Sequence, residues 1–146
     1  MSDVKVFRHA VEAALRADGH GSVAYRGGME VQIFGTRKCP DTRKAQRWFA
    51  ERRVKTHFVD LQQRAASPGE LKRFAERFGV EALIDREGKR YADRGLASAH
   101  LSDERWLARL AEDPLLLRTP LVRWKQKLTL GYAADTWQAW VDEEGK

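Results

Sequence analysis

The sequence predicts an α/β fold in which a mixed sheet is flanked by helices. Three observations carry that prediction: a strand, helix, strand run from Met29 to Leu61, two helix signatures beginning at Ser67 and Ser102, and a short hairpin at 121–130 followed by a last helix. The first unit calls for parallel pairing through a right-handed crossover, and the hairpin adds antiparallel strands to the same sheet. With 146 residues, 42% of them apolar, the chain is long enough to bury one hydrophobic core.

Each element has a local cause. Val4, Phe7, Val11, Ala14 and Leu15 return at three- and four-residue steps, which predicts an amphipathic helix over 2–17 behind Ser2. Glycine-rich turns follow, so residues 1–28 read either as an N-terminal helical extension or appendage, or as a helix packed on the domain formed by 29–146. Glu30 to Phe34 is the first strand. A helix over 40–53 carries Ala45, Trp48 and Phe49 on one side and Arg43, Lys44 and Arg47 on the other, and Lys55 to Leu61 is the second strand. Ser67-Pro68-Gly69-Glu70 is a capping box with proline at the first helical position; Leu71, Phe74, Ala75 and Phe78 form the apolar stripe, and Gly79 supplies the stop. Ser102 opens a helix with Trp106, Leu107 and Leu110 inward, ended by Asp113-Pro114. Leu121 to Trp124 and Lys127 to Leu130 are strands joined at Lys125-Gln126, and the terminal helix packs through Trp137, Trp140 and Val141. This order describes a thioredoxin-like sandwich, in which Thr119-Pro120 falls where such folds place a cis-proline, opposite the start of the first core helix.

The lone cysteine, Cys39, stands at that helix start, in Gly35-Thr36-Arg37-Lys38-Cys39-Pro40-Asp41-Thr42. A helix start exposes unpaired N–H groups and a partial positive charge, which favour a thiolate over a thiol. Pro40 suits the first helical position because its missing N–H costs nothing there. Thr42, three residues on, is placed to donate a hydrogen bond to the sulfur, and Lys38 to assist electrostatically, whereas Asp41 opposes a thiolate. The competing reading is that Cys39 is an ordinary small core residue. Being the only cysteine, it has no internal disulfide partner, so a catalytic cycle must take its second thiol from outside.

The formal net charge is +6, but 27 basic residues are interleaved with 21 acidic ones rather than gathered into a tail. No zinc-finger, RNA-recognition or Walker pattern occurs, so direct nucleic-acid binding is not expected and solvated helix faces account for the charge. His9, His20, His57 and His100 lack ligand spacing, and no metal site is expected. No apolar run approaches a membrane span, and Arg8, His9, Glu12 and Arg16 interrupt the segment where a secretory signal would lie. A cytoplasmic location without membrane association is the default expectation.

Val31-Gln32-Ile33-Phe34-Gly35, Cys39-Pro40-Asp41-Thr42, Glu81-Ala82-Leu83-Ile84, the run Asp113 to Pro120, and Leu130-Gly131-Tyr132 together resemble the arsenate reductase/Spx family over about Met29 to Val141. The resemblance implies a thioredoxin-like core with a helical insertion between the second and third strands, here residues 67–117. In the glutaredoxin-dependent arsenate reductases the equivalent cysteine attacks arsenate, arginines hold the oxyanion and glutathione resolves the adduct. The cysteine carries over to Cys39. The arginines do not: Asp85 follows Ile84 with Arg86 one step later, Thr119 precedes Pro120 with Arg118 one step earlier, and none stands beside Gly131-Tyr132.

The resemblance thus implies a monothiol oxidoreductase with no bound cofactor, using glutathione, another small thiol or glutaredoxin as reductant, with arsenate itself disfavoured as substrate. Arg118, Thr119, Pro120 and Arg123 are the expected substrate- or thiol-binding residues, the two arginines fitting equally well as plain surface charges. The alternative is a non-enzymatic, Spx-like regulator that binds RNA polymerase. Redox-sensing members of that branch carry a second cysteine where Thr42 stands here.

Overall fold

The computed structural model describes residues 28–145. The helix expected over 2–17 lies outside the described residues. From Met29 onward the expected elements appear in order, with one further short helix, α3, between them: β1 (Glu30–Gly35), α1 (Pro40–Glu51), β2 (Lys55–Asp60), α2 (Pro68–Phe78), α3 (Lys89–Asp93), α4 (Asp103–Glu112), β3 (Leu121–Trp124), β4 (Lys127–Leu130) and α5 (Ala134–Glu144). Short 3₁₀ turns at Glu81–Leu83, Leu96–Ser98 and Pro114–Leu116 stitch the helices between β2 and β3 together.

The four strands form one mixed sheet in the order β2-β1-β3-β4. β1 runs parallel to β2, as the crossover through α1 requires, and antiparallel to β3, which pairs antiparallel with β4. Alternation along the strands sends side chains to two separate cores. Val31, Ile33, Val122 and Trp124 pack against Ala45, Trp48 and Phe49 of α1 and Trp137, Trp140 and Val141 of α5. On the other face Phe34, Val59 and Leu121 meet Leu71 and Phe74 of α2, Trp106 and Leu110 of α4, and Leu83 and Leu116 of the turns. The segment 67–117 is therefore a helical insertion with a core of its own against the sheet.

Register explains how much of the sheet that insertion covers. Phe34 is flanked by Val59 and Leu121, an apolar row; two residues back, Gln32 is flanked by His57 and Arg123, a polar one. The insertion seals the first row, and the second opens into a separate polar groove of about 400 Å³.

Local rules account for the helix ends. Ser67 and Ser102 each accept a hydrogen bond from the N–H three residues on, Glu70 and Arg105, both at 3.2 Å. α1 stops at Glu51, two residues short of the expected 53. Arg53 takes a left-handed φ of 58°, its N–H bonds Ala50 O at 3.0 Å, and Val54 N–H bonds Phe49 O at 3.0 Å. This is a helix-ending motif that glycine ordinarily signals, here made by arginine.

Candidate functional site

Cys39 occupies the N-cap position immediately before α1, with φ −75° and ψ 117°, rather than the first turn itself. Two backbone bonds hold it there: its N–H donates to Thr36 O at 3.2 Å, and its carbonyl accepts from Arg43 N–H at 3.1 Å. Pro40 follows at the first helical position. The side chain makes no capping bond and is half-buried. Sγ instead points across the fold and donates to the carbonyl oxygen of Thr119 at 3.7 Å, and the Thr119-Pro120 peptide is cis. The helix start and the turn into β3, 80 residues apart in sequence, thus meet at the sulfur.

A cleft of about 640 Å³ opens beside it. Its lining combines Thr36, Lys38, Cys39 and Thr119 from around the cysteine with Asp85, Gly88, Lys89 and Arg90 from the insertion. That volume is in the range of pockets that take small molecules. The insertion's part of the lining is anchored by a short antiparallel bridge between Ile84 and Leu117, in which Asp85 N–H donates to Leu116 O at 2.9 Å and Arg118 N–H to Leu83 O at 2.8 Å. The chain runs from this bridge directly into Thr119. Below the site, Arg37 Nε lies 3.1 Å from the buried Asp60 carboxylate, tying the loop before Cys39 to the end of β2.

A model of the ArsC family matches residues 34–140, most of the chain and the whole of the site. The chain belongs to the ArsC family. It is 26% identical over 114 residues to the uncharacterized protein YusI of Bacillus subtilis, covering 75% of this chain and 97% of YusI. It is also 26% identical over 105 residues to the global transcriptional regulator Spx 2 of Bacillus anthracis, covering 70% of this chain and 79% of the regulator. Among solved structures, an arsenate reductase from Vibrio cholerae superposes with a TM-score of 0.66 at 24% identity, covering 76% of this chain and 97% of that one. An ArsC family related protein from Bacteroides fragilis gives 0.68 at 20%, covering 75% and 95%. These likenesses establish the thioredoxin-like fold with its helical insertion.

Within this ArsC family chain the expected site residues separate. Lys38 and Thr119 line the cleft with Cys39, whereas Pro120, the next residue along the chain, is buried and outside the lining. Thr42 is fully buried, and its hydroxyl, wedged against Gly35, has no hydrogen-bond partner among the described residues; the bond expected from it to the sulfur is not made. The geometry is decided by the close approach of α1 to the end of β1, which turns Thr42 inward. Arg123 does not reach the cleft. It sits in the polar row of the sheet, where Nη1 bonds Glu70 Oε1 at 2.6 Å and Nε bonds Lys125 O at 2.9 Å. Arg118 is exposed and outside the cleft lining, its backbone held by the N–H bond to Leu83 O. Arg86 turns to Glu81 and to the Tyr91 hydroxyl, at 2.7 Å from the latter. Its guanidinium pKa is raised, chiefly by the Glu81 hydrogen bond, so it stays charged and paired.

Besides Lys38, two further cations line the cleft that sequence reasoning missed, Lys89 and Arg90. They sit on α3, a five-residue helix too short to show a periodicity. Both are matched by carboxylates: Lys89 Nζ lies 3.2 Å from Asp93 Oδ2 and Arg90 Nε 3.5 Å from Asp113 Oδ1. Among the described residues no helix is long and apolar enough to cross a membrane.

Proposed function

We propose that this ArsC family chain is a thiol-dependent reductase that works through one cysteine. The observation that carries the reading is the placement of Cys39: a half-buried sulfur at a helix start, bonded to the Thr119 carbonyl just before the cis Pro120 and opening on a cleft that Thr119 also lines. A helix start stabilises developing negative charge, and the exposed Lys38 adds to the same field. In the forward step the Cys39 thiolate attacks one sulfur of a disulfide; a Cys39–substrate disulfide forms, the original S–S bond breaks, and the other half leaves as a thiolate. An external small thiol such as glutathione, or a glutaredoxin, then attacks the mixed disulfide and returns Cys39 to its thiolate. No electrons are gained or lost beyond this exchange. The backbone of Thr119 is the docking edge for a peptide-like thiol, and no bound cofactor is needed.

Arsenate is not the favoured substrate. Arg86, Arg118 and Arg123 do not line the cleft, Lys89 and Arg90, which do, already face carboxylates, and Lys38, the third cation of the lining, is a single point charge without a guanidinium fork. An oxyanion site depends on free, forked donors aimed at one point.

The test is mass spectrometry of the protein after incubation with glutathione disulfide. The expected result is one adduct, on Cys39, lost in Cys39→Ser and reversed by glutathione with glutaredoxin. A wild-type protein that forms no adduct overturns the reading.

The similarity to Spx 2 over 70% of the chain favours a second reading, a regulator that docks on RNA polymerase in the cytoplasm. A pull-down with polymerase subunits separates the two: binding that is equally strong in wild type and Cys39→Ser supports the regulator. An intramolecular disulfide switch is not open to this chain, whose single cysteine has Thr42 three residues on.

A further inference from the structure

The geometry points to Asp85 as the residue that selects the substrate of the Cys39 cleft, favouring thiols and disulfides that carry an ammonium group near the sulfur. The inference rests on the reductase reading and names its substrate class: low-molecular-weight aminothiols and their disulfides.

Asp85 is half-buried and lines the same cleft as Cys39, and its backbone is fixed by the hydrogen bond to Leu116 in the segment that leads into Thr119. Its backbone is therefore tied to the segment that accepts the sulfur's hydrogen bond. Its carboxylate is folded over Gly88, where a β-carbon would stand 2.5 Å from Oδ2, so the glycine makes room for it. The neighbouring charges are otherwise committed. Lys89 faces Asp93, Arg90 and Arg94 face Asp113, and Arg86 is engaged by Glu81 and Tyr91. Among the described residues no hydrogen bond or ion pair engages the Asp85 carboxylate. A partly desolvated carboxylate without a partner is stabilised by any cation that reaches it. Lys38, exposed and next to Cys39 in the chain, lines the cleft but makes no ion pair with Asp85. A ligand whose sulfur meets Cys39 and whose ammonium meets Asp85 supplies that cation. The attack itself is the balanced exchange already described, and Asp85 takes no part in bond making; it is a specificity residue.

The experiment measures the rate of mixed-disulfide formation on Cys39 by mass spectrometry with three probes: cystamine (cationic), hydroxyethyl disulfide (neutral) and dithiodipropionate (anionic). Rates are divided by those of N-acetylcysteine with the same probes, which removes intrinsic reactivity. The wild type is expected to prefer cystamine over hydroxyethyl disulfide by about fivefold, the size of a partly exposed ion pair, and to react most slowly with dithiodipropionate. Asp85→Asn brings the cystamine preference to about one, Asp85→Glu keeps most of it, and added salt weakens it in the wild type alone. Gly88→Ala, which displaces the carboxylate without removing it, lowers the preference as well. A wild type with no preference, or an Asp85→Asn protein that keeps it, overturns the assignment of Asp85 while leaving the reductase reading intact. Failure of all three probes to modify Cys39 overturns both.

Discussion

Gly35, the last residue of β1, lies so close to Thr42 in the first turn of α1 that a β-carbon there would stand 2.6 Å from Thr42 Cγ2. This approach sets how the helix start sits on the sheet end, and so where the Cys39 sulfur points. Inserting a methyl group into such a contact forces the helix outward at a cost of about 1–3 kcal/mol. Gly35→Ala is therefore expected to lower the urea midpoint and to slow adduct formation at Cys39. An unchanged midpoint and rate would show that the contact does not position the site.

Thr42→Val is expected to act in the opposite sense. The Thr42 hydroxyl is buried without a partner among the described residues, and removing an unsatisfied buried polar group relieves a desolvation cost of about 1 kcal/mol. Stability by urea denaturation should hold or rise by that amount. Because the hydroxyl does not bond the sulfur, the rate of glutathionylation of Cys39 should stay within about twofold of wild type. A much slower rate would mean that Thr42 supports the thiolate after all.

The contrast between these two predictions marks where a sequence can be read. The capping serines Ser67 and Ser102, the four strands and the aromatic stripe of α5 were all legible, because each rests on spacing within one short segment. So was the meeting of Cys39 with Thr119, once the element order implied the fold. The direction of Thr42 was not, since it depends on how closely a helix and a strand approach. Arg123 was misassigned for a related reason: proximity to Pro120 along the chain says nothing about which end of the sheet face the insertion covers. Lys89 and Arg90 escaped notice because their helix is a single turn and a half, fixed by packing of the buried Tyr91 rather than by any pattern.

In the core, Trp137 Nε1 donates to Thr129 Oγ1 at 2.7 Å, a buried pair joining α5 to β4. Thr129→Val leaves the indole N–H unsatisfied and is expected to cost about 1–3 kcal/mol. Trp137→Phe removes the donor but also volume, with a larger loss. The double variant should be more stable than the sum of the two single losses predicts, because the stranded N–H is gone. Simple additivity in chemical denaturation would show that the hydrogen bond carries no net stability.

Arg123 provides the sharpest separation of the polar groove from the Cys39 cleft. Its guanidinium is bonded to Glu70 across the open row of the sheet, joining β3 to the start of α2, and both side chains keep about a quarter of their exposure, 25% and 23%. An ion pair so placed is partly screened by water, and Arg123→Met is expected to destabilise by about 1 kcal/mol. Part of that loss comes from Glu70, whose Oε2 is already without a partner among the described residues. The same substitution should leave the rate of Cys39 modification by glutathione disulfide within about twofold of wild type, since the lost charge lies in a different groove. A drop of tenfold or more would return Arg123 to the site, and would require the insertion to move so that the two grooves join.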